Sequence, residues 1–246
     1  EIETFVHGAM CIAVSGRCFM SHEVFGKSAN RGECLQPCRR EYQITDSDEK
    51  FELQLGEDYV LSPKDLCSIE FLDKLIESGI DAFKIEGRKR SPEYIAIVVS
   101  TYSQANDLYY ENKLTPDVKQ ELVDRLKKVY NRGFSSGFYF GEPGSESYAK
   151  TYGSIATTRK VYIGKVLNYY KKSEVAFIRL EADELKAGDS IYIIGSTTGV
   201  VELKIEKMMQ DEKVLTDVSK GNDITILCQE RVRQYDKVYK IVYLKD

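Results

Sequence analysis

The strongest constraint on this chain's fold is a change of hydrophobic period near residue 150. Before it, strand-like and helical runs alternate. Ile2–Val6 alternates and ends at His7-Gly8, and Tyr59-Val60-Leu61 is a short apolar run. Leu66, Ile69, Leu72, Leu75 and Ile76 then recur at helical spacing up to Gly79, and Ala82–Ile85 is strand-like again. Ser91-Pro92-Glu93 and Thr115-Pro116-Asp117 open two further helices, since a hydroxyl residue followed by Pro is helix-start chemistry. Strands and helices in this order, with short links, read as parallel β/α units. After residue 150 no helical period remains. Val161–Leu167, Val175–Leu180, Ser190–Ile194, Val200–Ile205 and Asp223–Leu227 are short runs separated by Gly-containing turns, the pattern of a small antiparallel barrel.

The expected fold class is therefore α/β plus all-β. A partial TIM-like (β/α) barrel segment is expected over 1–112, a helical and Gly-rich connector over 113–154, and an antiparallel β-barrel over 155–246. Two or three β/α units are too few to close a barrel. The segment is expected to be incomplete at its N-terminus, so that the chain by itself self-associates through an open sheet edge or has an upstream segment supplied otherwise.

Composition matters for location and for the cysteines. A net charge of −4 with 42% hydrophobic residues is that of an ordinary globular protein, and no run approaches the ~18 apolar residues of a membrane span. A cytoplasmic protein without a membrane partner is expected. The tail from residue 158 carries a slight excess of Lys and Arg and the rest an excess of Asp and Glu, which is compatible with a nucleic-acid partner. Six cysteines without a secretory signal point to metal or redox chemistry rather than disulfides. Four of them, Cys11, Cys18, Cys34 and Cys38, fall in a polar, Gly- and Arg-rich stretch over 8–50 that is too long for a plain connection. Their spacing lacks the C-x-x-C knuckles of structural zinc, whereas thiolate iron–sulfur sites accept varied spacing. Cys67 and Cys228 stand alone, and Cys228 reads as a core residue.

Charged residues near the C-terminal ends of parallel strands face an active-site mouth. Lys84 and Glu86 are two apart and share one side of their strand, as do Glu3 and His7 on the first. These four are the candidates for substrate binding or proton transfer, set against a structural salt bridge and a hydrogen-bonded core histidine. Arg39, Arg40 and Arg88 are candidates for an anionic ligand, because guanidinium forks match carboxylates and phosphates, set against plain surface arginines. No nucleophile constellation is visible. There is neither a G-x-S-x-G elbow nor an H-E-x-x-H helix, Ser15 and Ser21 have no evident base, and a Cys–His pair would have to use His7 or His22.

Glu3, Phe5, Gly8, Ala9, Met10, Cys11, Gly16, Cys18, Met20 and Ser21 fill every fixed position of the pattern E-x-F-x-x-G-[SA]-aliphatic-C-x-x-x-x-G-x-C-x-aliphatic-S. The blocks Lys64-Asp65-Leu66-Cys67, Lys84-Ile85-Glu86-Gly87-Arg88 and Arg132-Gly133-Phe134 accompany it. On these residues the chain, from 1 to about 140, resembles the collagenase-like peptidase family of unknown catalytic type, family U-32. The resemblance implies a TIM-like barrel. Several family members hold a 4Fe–4S cluster, so it also implies one on Cys11, Cys18, Cys34 and Cys38, with Cys67 as the alternative fourth ligand and zinc as the alternative metal. Members hydroxylate tRNA at the wobble uridine using prephenate, hydroxylate a ribosomal RNA cytidine, or act in oxygen-independent quinone hydroxylation. In the tail, Leu185–Ile191 followed by Gly221-Asn222-Asp223 resembles the second domain of translation elongation factors. The combination implies an RNA hydroxylase with tRNA as first choice of partner and a small anionic donor such as prephenate. A collagenase-like peptidase and a non-catalytic RNA-binding module are the alternatives.

Overall fold

The structure, a computed structural model, describes residues 1–13, 18–42 and 61–244. Ser15, Gly16 and most of the run Tyr59-Val60-Leu61 lie outside the described residues. The chain forms two compact units, Glu1–Lys89 with Ile97–Ala156, and Arg90–Ala96 with Thr157–Asp246.

The first unit holds strands β1 (Glu3–Ala9), β2 (Asp65–Cys67), β3 (Ala82–Ile85) and β4 (Phe134–Ser135), with helices α1 (Phe19–Phe25), α2 (Leu72–Glu77), α3 (Pro92–Tyr110, in this unit from Ile97 on) and α4 (Pro116–Lys127). Its sheet runs β3-β1-β2-β4. β1 pairs parallel with β3, and β2 pairs parallel with β4, but β1 and β2 are antiparallel. The all-parallel order expected of a TIM-like segment is thus met only in part. The cysteine segment leads from β1 toward β2; among its described residues it holds α1 and two 3₁₀ turns, and β2 enters the sheet in the opposite direction to β1. The helix expected from Leu66 is likewise divided. Its first residues are β2, a 3₁₀ turn follows at Ile69–Phe71, and α2 begins only at Leu72. All three residues of β2 are buried, and a strand covered on both faces shows no alternation by which to recognise it.

α3 and α4 begin where Pro and a capping hydroxyl place them: Thr115 accepts the Val118 amide, with Pro116 in the first turn. α4 turns Leu122, Val123 and Leu126 inward, while Lys119 reaches Asp73 (2.8 Å) and the Glu70 carbonyl (3.0 Å), tying the helix to the 69–77 stretch. Gly8 lets the ends of β1 and β3 meet. It has φ +128°, and a Cβ there would lie 2.6 Å from the Glu86 carbonyl oxygen.

The second unit contains β5 (Thr158–Tyr170), β6 (Val175–Leu180), β7 (Leu185–Lys186), β8 (Ser190–Gly195), β9 (Gly199–Lys204), β10 (Met208–Gln210), β11 (Lys213–Leu215), β12 (Asp217–Val218), β13 (Asp223–Leu227) and β14 (Lys237–Tyr243). Eight of these form one antiparallel sheet, in the order β11-β10-β13-β6-β5-β14-β8-β9, and β7 pairs with β12. Ile163, Ile178, Leu180, Ile191, Ile193, Ile224 and Val238 are fully buried in a single apolar core. Among the described residues no pairing joins β9 to β11, so the ladder has two ends where a closed barrel has none. No helix among the described residues is long and apolar enough to cross a membrane.

Candidate functional site

The cysteine segment enters the first unit at the C-terminal end of β1. Cys11 follows β1, Cys18 caps α1, and Cys38 lies in a 3₁₀ turn over Pro37–Arg39. Cys38 is buried, Cys18 and Cys34 are half-buried, and Cys11 is exposed. Burial pushes the Cys38 thiol up. The Arg39 guanidinium opposes that rise, while Cys11, Cys34 and Cys18 each reinforce it. The four sulfurs therefore share one electrostatic neighbourhood, in which several thiolates would repel one another without a cation. Backbone amides already point at two of them: Ala13 N–H donates to Cys11 Sγ and Gln36 N–H to Cys34 Sγ, both at 3.3 Å. Such bonds are the kind that tune metal-bound sulfur.

In kind and in neighbourhood, these donors fit an iron–sulfur cluster. They are not drawn into a coordination sphere: among the described residues, no group of three or more Cys, His, Asp or Glu side chains is arranged to hold a metal ion. Cys67 lies elsewhere. It is buried in β2 opposite His7, accepts a hydrogen bond from Tyr102 Oη (3.8 Å), and has its thiol pushed up to about 11, first by burial.

A buried charge pair holds the segment in place. Asp65 Oδ1 and the Arg132 guanidinium meet at 2.9 Å with both side chains almost fully buried, and the Arg132 amide donates to Asp65 Oδ2. Arg132 also reaches Gln36. Arg39 donates to the carbonyls of Pro63 and Met10 and to Ser62 Oγ, so one guanidinium joins the Cys38 turn to the backbone beside Cys11. Burial first, and then the neighbouring Arg132, lower the Arg39 pKa, opposed only in part by Cys38, Asp65 and Tyr130. Arg39, a candidate for an anionic ligand, donates to protein oxygens on both sides of the loop. Lys89 Nζ donates to the Cys34 carbonyl, and Arg88 lies across Gly32, where a Cβ would come within 3.0 Å of the guanidinium. Arg40 is exposed and stacks over Phe25 at 4.7 Å.

The strand-end candidates separate. A register shift between Phe5 and His7 breaks the alternation of β1, and the side shared by Glu3 and His7 in the sequence reading is lost. Glu3 is half-exposed and pairs with Lys84 at 2.7 Å. His7 is 2% exposed and packs against Phe134 and Tyr102, with Nδ1 3.3 Å from the Tyr102 hydroxyl. Lys84 and Glu86 do not act as a pair. Lys84 turns to Glu3 and the Phe5 ring, while Glu86 Oε1 accepts the Arg88 amide at 2.7 Å.

Glu86 and Cys11 line a pocket of about 620 Å³, together with His7, Leu66, Phe138 and Tyr139. Lys84 and Arg88 are not among its lining residues. The sequence reading missed Asp65, Arg132, Tyr102 and Tyr139. Arg132 and Asp65 stood in blocks already singled out, but 67 positions separate them and nothing local announces their pairing.

A model of the family described as Peptidase family U32 matches residues 1–149. A collagenase of Porphyromonas gingivalis is 41% identical over 240 residues, 98% of this chain and 58% of that protein. The tRNA hydroxylation protein P1 of Bacillus subtilis is 38% identical over 200 residues, 79% of this chain and 47% of that protein. The 23S rRNA 5-hydroxycytidine C2501 synthase of Escherichia coli is 32% identical over 214 residues, 78% of this chain and 32% of that protein. The chain thus spans less than two thirds of the length of these curated relatives.

Proposed function

The chain belongs to peptidase family U32, and from that premise we propose that this protein is an iron–sulfur-dependent enzyme that hydroxylates a pyrimidine in RNA, with the tRNA wobble uridine as first choice of target. The observation that carries the reading is that Cys38 feels the charge of Cys11, Cys34 and Cys18, while Cys11, which accepts a backbone amide as Cys34 does, lines an apolar pocket. The cysteines would hold a 4Fe–4S cluster, which when bound supplies one-electron chemistry. Arg39 and the Asp65–Arg132 pair fix the loop that presents them. Glu86 is the pocket's carboxylate, placed to orient a substrate N–H or to move a proton. Arg88 and Lys89, beside the loop, would take a phosphate or the carboxylate of a prephenate-like donor. Exchange of a donor hydroxyl for a pyrimidine hydrogen balances without an external oxidant. The second unit would add affinity for RNA through Lys171, Arg231 and Arg233, which line a shallow basic recess beside Tyr169.

The collagenase name among the relatives favours a peptidase as the second reading. It has weaker chemical support. Cys67 and His7 are adjacent across β1 and β2, yet both are buried, and a thiol pushed up to about 11 is a poor nucleophile at neutral pH. One experiment decides between them. Cells lacking the gene are complemented with the wild type or with Cys34→Ala, and RNA nucleosides are profiled alongside the iron content of anaerobically purified protein. Loss of iron and of one hydroxylated pyrimidine in Cys34→Ala is expected. Unchanged RNA, with peptide hydrolysis that survives the substitution, would establish the peptidase instead.

A further inference from the structure

Three consecutive aromatics, Phe138, Tyr139 and Phe140, form a turn after β4. Two of them are engaged. Tyr139 Oη lies 2.6 Å from both the Phe5 carbonyl and Thr4 Oγ1, which pins the turn to β1, and its ring packs on Phe71. Phe140, though 63% exposed, stacks edge-on against Phe71 and lies under Lys74. Phe138 is left 69% exposed, without a ring partner among the described residues, although its ring lines the pocket that also holds Cys11 and Glu86. A large apolar ring kept in water on a fixed turn, at the lip of a pocket, is a stacking surface already in place.

We propose that Phe138 is the platform on which a nucleobase turned out of an RNA loop stacks as it enters this pocket. The inference rests on the RNA reading above and names the residue that would receive the base. The pocket volume of about 620 Å³ falls within the ~300–1000 Å³ of small-molecule sites and has room for a pyrimidine beside a small donor. Its walls are chiefly apolar, which suits the faces of a base. Its one carboxylate, Glu86, uses Oε1 for the Arg88 amide and keeps a second oxygen to accept an N–H from the base edge. The phosphates of the same nucleotide would meet Arg88 and Lys89, both exposed and two and three positions beyond Glu86. An apolar face, an acceptor and adjacent cations match a nucleotide part by part. Single-stranded RNA is read in this way, by stacking an unpaired base on an aromatic ring.

The test uses the full chain, a short RNA stem–loop with a pyrimidine loop, and the same stem–loop with one abasic loop position. Base–aromatic stacking of ~1–3 kcal/mol corresponds to about a 5- to 150-fold loss of affinity in Phe138→Ala. The abasic RNA should bind the wild type with a similar loss, and Phe138→Ala should bind both RNAs equally. Phe138→Leu, apolar but without a π face, should behave as Phe138→Ala does. Phe138→Trp should retain affinity, and because the chain has no other tryptophan its fluorescence should be quenched by the intact loop and not by the abasic one. If the wild type binds and modifies RNA while Phe138→Ala binds the intact loop as tightly, this inference falls and the RNA reading stands. If the wild type does not bind the stem–loop, both fall.

Discussion

In the first unit, the buried positions include Asp65, Arg132, His7, Ser68, Thr101 and Asn131 beside the apolar ones. In the second they are almost all aliphatic, and the single buried charged residue there among those described, Asp236, caps the turn at Thr198 and Arg233. An eight-stranded sheet around Ile, Val and Leu needs no buried charge to fold. The first unit accepts the desolvation of an ion pair, and what that pair holds is the loop bearing Gln36, Cys38 and Arg39. Burial of charge where a sheet alone would suffice marks the unit shaped by chemistry.

The largest expected effect breaks that pair. Asp65→Ala leaves the Arg132 guanidinium buried and unpaired and should destabilise the first unit by ~3–5 kcal/mol. Hydrogen exchange read by mass spectrometry should show faster exchange in β2 and in the 36–40 turn, with Cys38 more reactive to thiol reagents. The β5, β6 and β8 amides should not change. Equal loosening of both units would erase the distinction drawn between them.

A smaller effect concerns alkaline pH in the second unit. Burial pushes the Cys228 thiol from 9.0 up to about 11. The unfolded chain therefore ionises this thiol first, so the stabilisation present below pH 9 is lost as pH rises from about 9 to 11. At ~1.4 kcal/mol per unit, the loss is at most about 2–3 kcal/mol. Urea midpoints for the second unit, measured by the same exchange at pH 8 and pH 10.5, should fall in the wild type and fall less in Cys228→Ala. Some slope should persist in the variant, because Tyr162, held up to about 12 by its hydrogen bond to Glu181, shifts in the same direction.

Much of the second unit was legible because its strands alternate. β6 and β13 were read from the sequence at the limits the structure gives them. The β10–β11 hairpin was not, because its two-residue turn is Asp211-Glu212, both at positive φ, where Asn-Gly would have advertised it. β14 was overlooked even though Val238, Tyr239, Ile241, Val242 and Tyr243 are strong strand formers. Local patterns gave the starts of α3 and α4, which depend on neighbouring residues. The pairing of β2 and the Asp65–Arg132 contact depend on residues far apart in the chain, where periodicity carries no information. Among the candidate residues, the four cysteines were grouped by proximity in sequence alone, and among the described residues no three of them are arranged to hold a metal ion. The separation of Glu3 from His7 turned on a register shift that no spacing records.

The smallest expected effect lies at the surface, where the two units should converge. Lys84–Glu3 in the first and Lys240–Asp189 in the second are both lysine–carboxylate pairs at 2.7 Å, half-exposed in the first case and about one-fifth exposed in the second. An exposed pair gains little Coulomb energy in water and loses side-chain freedom, so a double-mutant cycle on Lys84 and Glu3 should give ~0.2–1 kcal/mol. The Lys240–Asp189 coupling should be the larger and less sensitive to salt, because its charges are better shielded from solvent. The same cycle tests the roles expected of Glu3 and Lys84. If they form only a surface pair, Lys84→Ala should leave RNA hydroxylation unchanged while Glu86→Gln impairs it. A loss of activity in Lys84→Ala comparable to that in Glu86→Gln would return Lys84 to the site and make the first unit's surface, like its interior, part of the chemistry.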